Sequence, residues 1–352
     1  MLKTRHSLKD VAQEAKVSAA TVSRYLNGTL ELPADTRMRI DAAVRKLQYH
    51  PNPHARRLSL GKSDAIALIL PDIANPFFAR LAAAIEVAAA RHGSMVMLHA
   101  TFNQSAREFA ALQRAAQNRV DGVIFITNRG PEGPVCDELN TFGRAVILDE
   151  DVPGGIAPRI LCDNEMGGYL AGRALRAAGH RKIAYFGGGS ALASTQTRLT
   201  GLRRGLTEAG ASGVEPSLYV GDHSPAAGRQ LATRFLADAT DETAIFLGSD
   251  EITVGALEVF QENGIRVPQD YSVISFDDAR SLHLFAPAIT AIRQPVEDLG
   301  ARAVDILFSE EWDTPDFRNL VELMPVTLIE RQSVAAPAHN NQEGDTKTPL
   351  IP

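Results

Sequence analysis

The sequence predicts a mixed α/β chain: a small N-terminal headpiece of three short helices, a short hinge, and two doubly wound lobes built on parallel sheets. Three observations predict it. From Ala65 onward, short apolar runs alternate with amphipathic helical stretches in two successive series, the signature of parallel strands covered on both faces. Before that point the periodicity is helical throughout, with capping residues where helices should begin. The charge also divides there, with 12 Lys+Arg against 5 Asp+Glu in residues 1–62 and 24 against 37 in the remainder, so only the first segment suits a polyanion.

Composition narrows the class further. With 352 residues, 45% of them hydrophobic, the chain can form two or three domains with real cores. MLKTRHS has no apolar run behind it, and later apolar stretches are short or interrupted, as Glu86 interrupts LAAAIEVAAA. Neither a signal peptide nor a membrane span is expected, and a cytoplasmic location is. Cys136 and Cys162 stand far apart with no CxxC, which argues against a disulfide framework or a zinc site, and no metal or cofactor is expected.

In chain order, Ser7 can cap a first helix, with Asp10 three residues on completing a capping box and Leu8, Val11, Ala12 and Ala15 forming one apolar face. Lys16 and Val17 turn the chain. Ser18 can cap a second helix whose Val22, Tyr25 and Leu26 point back at the first and whose end is marked by Asn27–Gly28. The outer face then holds Ala19, Ala20, Thr21, Ser23 and Arg24. Small residues let a backbone approach a major groove, and Arg24 one turn later can give two donors to a guanine edge. Pro33 sits where a first helical residue belongs, before a third helix over Thr36–Leu47 with Ile40, Val44 and Leu47 on one face.

The stretch SLKDVAQEAKVSAATVSRYLNG resembles the helix-turn-helix headpiece of the LacI/GalR family of bacterial transcription regulators, and YHPNPHARRLSLGKS, Tyr49–Ser63, resembles that family's hinge. The resemblance places Ala19, Ala20 and Arg24 at base-reading positions and Leu58 at the leucine wedged into the minor groove. Ser18, Thr21, Ser23, Asn27, Asn52 and Arg56 complete the expected DNA contacts. The family usually has a serine or threonine cap before the proline of the third helix; this chain has Leu32. In the hinge, Asn52 can cap and Pro53 can start a helix of about two turns, too short to be stable in water without a partner. Two such segments paired in a dimer would bury Leu58 against a base step and kink the duplex, favouring a flexible central step.

Apolar runs at 65–70, 94–98, 122–126 and 145–148 read as strands of one lobe, with helices beginning near Pro76, Ala106 and Pro134. Runs at 182–186, 217–220, 244–247 and 272–276 read as the other, with helices around Met166–Ala178, Thr197–Ala209, Ala226–Ala237 and Ile252–Asn263. This region is similar to the periplasmic-sugar-binding-protein fold. That likeness implies lobe crossings near Cys162, Arg293 and Met324, and gives the helix Val296–Phe308 to the first lobe. The expected organisation is a headpiece at 1–50, a hinge at 51–62 and a two-lobed effector and dimerisation domain at 63–332. Its lobe 1 spans about 63–161 and 294–323, and lobe 2 about 162–293 and 324–332. The polar, Pro-rich tail from Ser333 to Pro352 is expected to be disordered.

Ligands of open parallel sheets bind beyond the strands' carboxyl ends, where this chain places Asp72, Asn128, Asp149, Asp222–His223, Ser249–Asp250 and Asp277–Asp278, with Phe77 and Phe78 just past the first strand. The resemblance assigns effector-binding roles to Arg198, Asp277 and Phe78. Asn128, Asp149, His223 and Ser249 match pocket positions that vary in the family. Glu150 stands where the family often has arginine and Ser275 where it often has glycine, which speaks against a strongly anionic ligand. Catalytic patterns are missing: GGGS at 187–190 lacks the third glycine of a dinucleotide loop, and neither HExxH nor GxSxG occurs. The expected protein is an effector-responsive repressor that binds a pseudo-palindromic operator as a homodimer and takes a sugar or sugar derivative, with a nucleobase-like ligand as the alternative. A sugar-binding transport protein and a cytoplasmic α/β enzyme are the competing classes. The first would need export and the second a catalytic constellation.

Overall fold

The computed structural model describes residues 6–49, 63–130, 133–207, 214–239, 241–314 and 316–337. The expected hinge helix, with Asn52, Arg56 and Leu58, lies outside them.

The headpiece has α1 (Leu8–Ala15), α2 (Ala19–Leu26) and α3 (Ala34–Leu47). Ser7 and Asp10 form the reciprocal capping box, the serine backbone N–H donating to the Asp10 carboxylate at 2.7 Å. Lys16 ends α1 in the left-handed region at φ 55°, and Gly28 follows α2 at φ 69°, a conformation glycine adopts without strain. Val11, Val22 and Ile40 are fully buried at the junction of the three helices. Tyr25 donates to Asp41 at 3.1 Å, and Lys46 pairs with Glu14 at 2.8 Å, tying α3 to the other two helices. One expectation shifts. Pro33 is the residue before α3, with ψ 147° and no side-chain cap, so α3 begins at Ala34, two residues ahead of the expected start. Ser7→Ala should lower headpiece stability by about 1 kcal/mol, read as a lower melting midpoint of the helical signal.

The remaining chain builds two sheets. The first contains β1 (Ala65–Leu70), β2 (Met95–Ala100), β3 (Gly122–Phe125), β4 (Ala145–Asp149), β5 (Arg159–Cys162) and β11 (Val321–Met324), in the order β11-β5-β4-β3-β1-β2, all parallel. The second contains β6 (Ile183–Gly187), β7 (Ser217–Val220), β8 (Ala244–Leu247), β9 (Ser272–Phe276), β10 (Thr290–Arg293) and β12 (Thr327–Ile329), in the order β12-β10-β9-β8-β6-β7, with only β12 antiparallel. Their helices are α4 (Pro76–Arg91), α5 (Ser105–Gln117), α6 (Gly133–Asn140) and α11 (Val296–Leu307) for the first sheet. The second has α7 (Asn164–Ala177), α8 (Ala193–Thr207), α9 (Pro225–Ala237) and α10 (Asp250–Glu262). Central strands such as β1 and β8 are buried along their whole length, the reason they read as continuous apolar runs. The chain leaves the first sheet after β5, returns after β10 and leaves again after β11.

The short strands β5, β10, β11 and β12 were not expected. The disordered tail is also corrected at its start. Ser333 is fully buried; its hydroxyl donates to the Val273 carbonyl at 2.6 Å and accepts the Thr290 N–H at 2.8 Å. Ala335 exchanges hydrogen bonds with Ser272, and its carbonyl is 2.9 Å from His180 Nε2. Polar groups there pair with buried backbone at the starts of β9 and β10 rather than with solvent. Residues 338–352 lie outside the description.

Candidate functional site

Two surfaces carry the expected site residues. On the headpiece, the Ser18 hydroxyl caps α2 by accepting the Thr21 N–H at 3.0 Å, and the two hydroxyls lie 2.8 Å apart. Ser18, Ala20 and Arg24 are exposed, and Thr21, Ser23 and Asn27 are half-buried. Ala19 is half-buried too and packs against the helical core, so Ala20 and Arg24 are the more open of the three expected base-reading positions. The Arg24 carbonyl holds Thr29 through both its N–H and its hydroxyl, which fixes the last turn from which the guanidinium projects.

The second surface is a cavity at the carboxyl ends of both sheets. It gathers Phe77, Phe78, Asn128, Asp149, Arg198, His223, Ser249 and Asp277. Asp149 ends β4 and Asp277 follows β9, the corresponding strands of the two sheets, and both adopt the left-handed region, at φ 74° and 70°. Such backbone costs on the order of 1 kcal/mol or more for a non-glycine residue and collects at functional sites. Here it aims a carboxylate from each lobe at the same space.

Arg198 is 5% exposed, its Nε donating to Asn164 at 2.7 Å, its Nη1 donating to the Gly248 carbonyl, and its plane lying 3.5 Å from the Phe276 ring centre. Its place depends on α7 and α8 touching backbone to backbone. A Cβ at Gly168 would collide with the Arg198 carbonyl, and one at Gly201 with the Glu165 carbonyl. Gly168→Ala should therefore destabilise the protein by about 1–3 kcal/mol and weaken ligand binding with it, measurable by thermal melting and titration.

Sequence reading left out part of the lining: Asn75, Ser194, Glu251 and Gln294 also face the cavity, as do Asp250 and Glu150, which it noted at strand ends without a binding role. Glu150 accepts the Ser194 hydroxyl at 2.5 Å and the Ser194 N–H at 3.2 Å, a link between the lobes, and Asn75 hydrogen-bonds Glu251. Asn75 and Asp250 sit at helix starts that the sequence marks, but lobe-to-lobe pairing has no one-dimensional signal. Conversely, Asp72, Asp222 and Asp278 follow strands without lining the cavity. Asp278 turns away to bind Arg293 at 2.6 Å, Arg331 and His283, which together hold its carboxyl below the usual range. Ser249 faces the cavity while its hydroxyl caps α10, accepting the Ile252 N–H at 3.2 Å. The GGG run is a lining loop: Gly188 has no side chain because His223 occupies that space. Ser275, in place of the expected glycine, is satisfied by Thr253 at 2.7 Å.

Burial dominates the electrostatics. It pushes Asp149 up to about 8, with Asp277 and Glu150 adding repulsion and Arg198 opposing them. Burial likewise raises Asp250 to about 8 and Glu251 to about 7, and drives His223 down to about 3, so its ring is neutral. Between pH 6.5 and 8.5 the folded protein keeps carboxyl protons that the unfolded chain has already lost. Stability should therefore fall as pH rises through that window, with the ligand-free melting temperature dropping by several degrees. Asp149→Asn should flatten the slope.

Residues 7–52 match the family described as bacterial regulatory proteins, lacI family, and residues 173–334 match a periplasmic binding protein-like domain. The chain is 34% identical over 332 residues to the HTH-type transcriptional repressor PurR of Edwardsiella ictaluri, covering 94% of this chain and 97% of that protein. Among solved structures, the lac repressor dimer bound to operator and the anti-inducer ONPF superposes with a TM-score of 0.78 at 27% identity, covering 95% of this chain and all of the other (100%). The complex of the transcriptional regulator CelR with cellobiose gives a TM-score of 0.68 at 27% identity, with coverages of 94% and 100%.

Proposed function

Because the chain belongs to the LacI family of bacterial regulatory proteins, we propose that it is a DNA-binding transcriptional repressor whose α2 reads an operator half-site and whose interlobe cavity takes a small-molecule effector. It acts as a regulator rather than an enzyme, as its relatives are transcriptional repressors. One observation carries the reading: the same chain joins a capped helix presenting Ala20 and Arg24 to a cavity lined by polar groups from both lobes. Among the described residues no helix is long and apolar enough to cross a membrane.

The effector is a sugar or sugar derivative. Hydroxyl-rich rings suit alternating carboxylate, amide and hydroxyl groups beside an aromatic wall, here Phe77 and Phe78 at 5.2 Å edge to face. CelR, similar over nearly the whole chain, holds cellobiose.

The repressor works as a homodimer on a pseudo-palindromic operator, each copy supplying one headpiece and one hinge. An apolar surface supports this: Leu284 is 84% exposed beside Phe285, in a groove shared with Leu257, Phe260 and Ile265. Ligand closing the lobes would alter the spacing of the paired hinges and hence operator affinity. An operator titration run with and without a panel of mono- and disaccharides tests the coupling. One member should move the midpoint about 5- to 150-fold. A midpoint unmoved by a sugar that does stabilise the fold would contradict it.

A further inference from the structure

The interlobe cavity is short of positive charge. Five carboxylates line it, from Asp149, Glu150, Asp250, Glu251 and Asp277, and Arg198 is the one cation among the described lining residues. Two of that guanidinium's nitrogens are already committed to Asn164 and the Gly248 carbonyl. His223, buried and neutral, adds no charge.

Three acceptors are left over. Among the described residues no protein group donates a hydrogen bond to the Asp149 carboxylate, although its neighbours Glu150 and Asp277 are both served, by Ser194 and by Gln294 at 2.6 Å. Gln294 is itself only 4% exposed, and its Oε1 has no partner. Its amide is oriented by the donation to Asp277, which fixes this unpaired acceptor at the cavity wall. A buried acceptor left unpaired is costly, and the single guanidinium of Arg198 is shared between Asp149 and Asp277.

We infer that the effector carries a protonated amine and that it is an amino sugar, its ammonium lying among Asp149, Asp277 and the Gln294 Oε1. This rests on the sugar-derivative reading above and narrows it. A hydroxyl brings one donor and no charge; an ammonium brings three donors and a full positive charge, the complement of this lining. The Phe77–Phe78 wall takes the apolar face of the ring. Arg198 is stacked on Phe276 and engaged by Asn164 and the Gly248 carbonyl, while Glu150 and Glu251 are each held by a partner across the lobes, which leaves Asp149 as the principal counter-ion.

The charge has a second consequence. The groups facing the ammonium are Asp149 and Glu150 from the end of β4, Asp250 and Glu251 from α10, Asp277 after β9, Arg198 from α8 and the neutral His223. Burial holds protons on Asp149 and Asp250 near neutral pH, and a bound cation favours their ionised forms. Binding should release about one proton, which a neutral sugar would not do.

The test is calorimetric titration of the full chain at pH 6.5, where a sugar ammonium is charged, with matched pairs: glucosamine and glucose, galactosamine and galactose, mannosamine and mannose. The inference predicts that at least one amine binds about ten- to a hundredfold tighter than its hydroxyl counterpart. Its apparent heat should vary with buffer ionisation heat by the amount expected for proton release, and Asp149→Asn should bring the amine down to the affinity of its counterpart. A hydroxyl member that binds as tightly as its amine, or tighter, overturns the amino-sugar assignment and leaves the sugar reading standing. No binding by any member, amine or hydroxyl, overturns both.

Discussion

Arg24→Ala should leave a folded protein that still holds DNA but no longer chooses among sequences. The guanidinium projects from the last turn of α2, exposed and without a protein partner among the described residues, so its removal empties no core position. Bidentate donation to a guanine edge is worth about 1–3 kcal/mol per contact, and a two-fold operator uses the residue twice. The ratio of operator to random-duplex affinity should therefore fall by about a hundredfold or more, while the salt-dependent attraction of the basic headpiece remains. Competition titrations at fixed salt measure both quantities. Ligand-induced thermal stabilisation should be unchanged, because Arg24 belongs to the headpiece and the cavity to the two sheets.

Arg198→Ala should have the opposite profile, with operator choice kept and effector response lost. Truncation removes the cavity's counter-charge to Asp149 and Asp277, leaves the Gly248 carbonyl and Asn164 without their donor, and uncovers the Phe276 face. Losing a charged hydrogen bond to the ligand costs about 1.5–3 kcal/mol, so affinity should drop about ten- to a hundredfold or more. Stability should fall by about 3 kcal/mol, the order seen when one member of a buried charge network is deleted. Arg198→Lys separates the two effects. It restores the charge without the planar fork, so the melting temperature should recover further than the ligand affinity does. If lysine restored both equally, the fork geometry assigned to Arg198 would be wrong.

Much of this was readable from residue order because the informative patterns are local. A capping box spans four residues, and Ser7 with Asp10 and Ser18 with Thr21 close as their spacing implies. Strands such as β1, β3, β4 and β8, buried on both faces, write themselves as unbroken apolar runs. The strands that escaped notice, β5, β10, β11 and β12, are three or four residues long, and each leaves residues partly or fully exposed. Their pairing is decided by partners far along the chain, as Val321 pairs with Arg159 and Thr327 with Arg293.

The cavity divides in the same way. Asp149 and Asp277 were legible as polar residues just past apolar runs. Adjacent Asp278 looks identical in sequence, yet its side chain goes to Arg293 and Arg331, because successive residues leave a strand end in different directions. Glu150, Ser194, Asn75 and Glu251 form lobe-to-lobe pairs, and Gln294 reaches the cavity from the segment after β10. Those contacts exist only once the two lobes, between which the chain passes three times, have been assembled.

Repression by this chain requires sequence-selective DNA binding by α2. The direct test is to incubate the purified full chain with sheared DNA from its own organism at physiological salt, alone and with cell extract, and to sequence what is retained. The account predicts enrichment of a short pseudo-palindrome with a flexible central step, abolished by Arg24→Ala. Retention without sequence preference in both conditions, or a palindrome that survives Arg24→Ala unchanged, would contradict it.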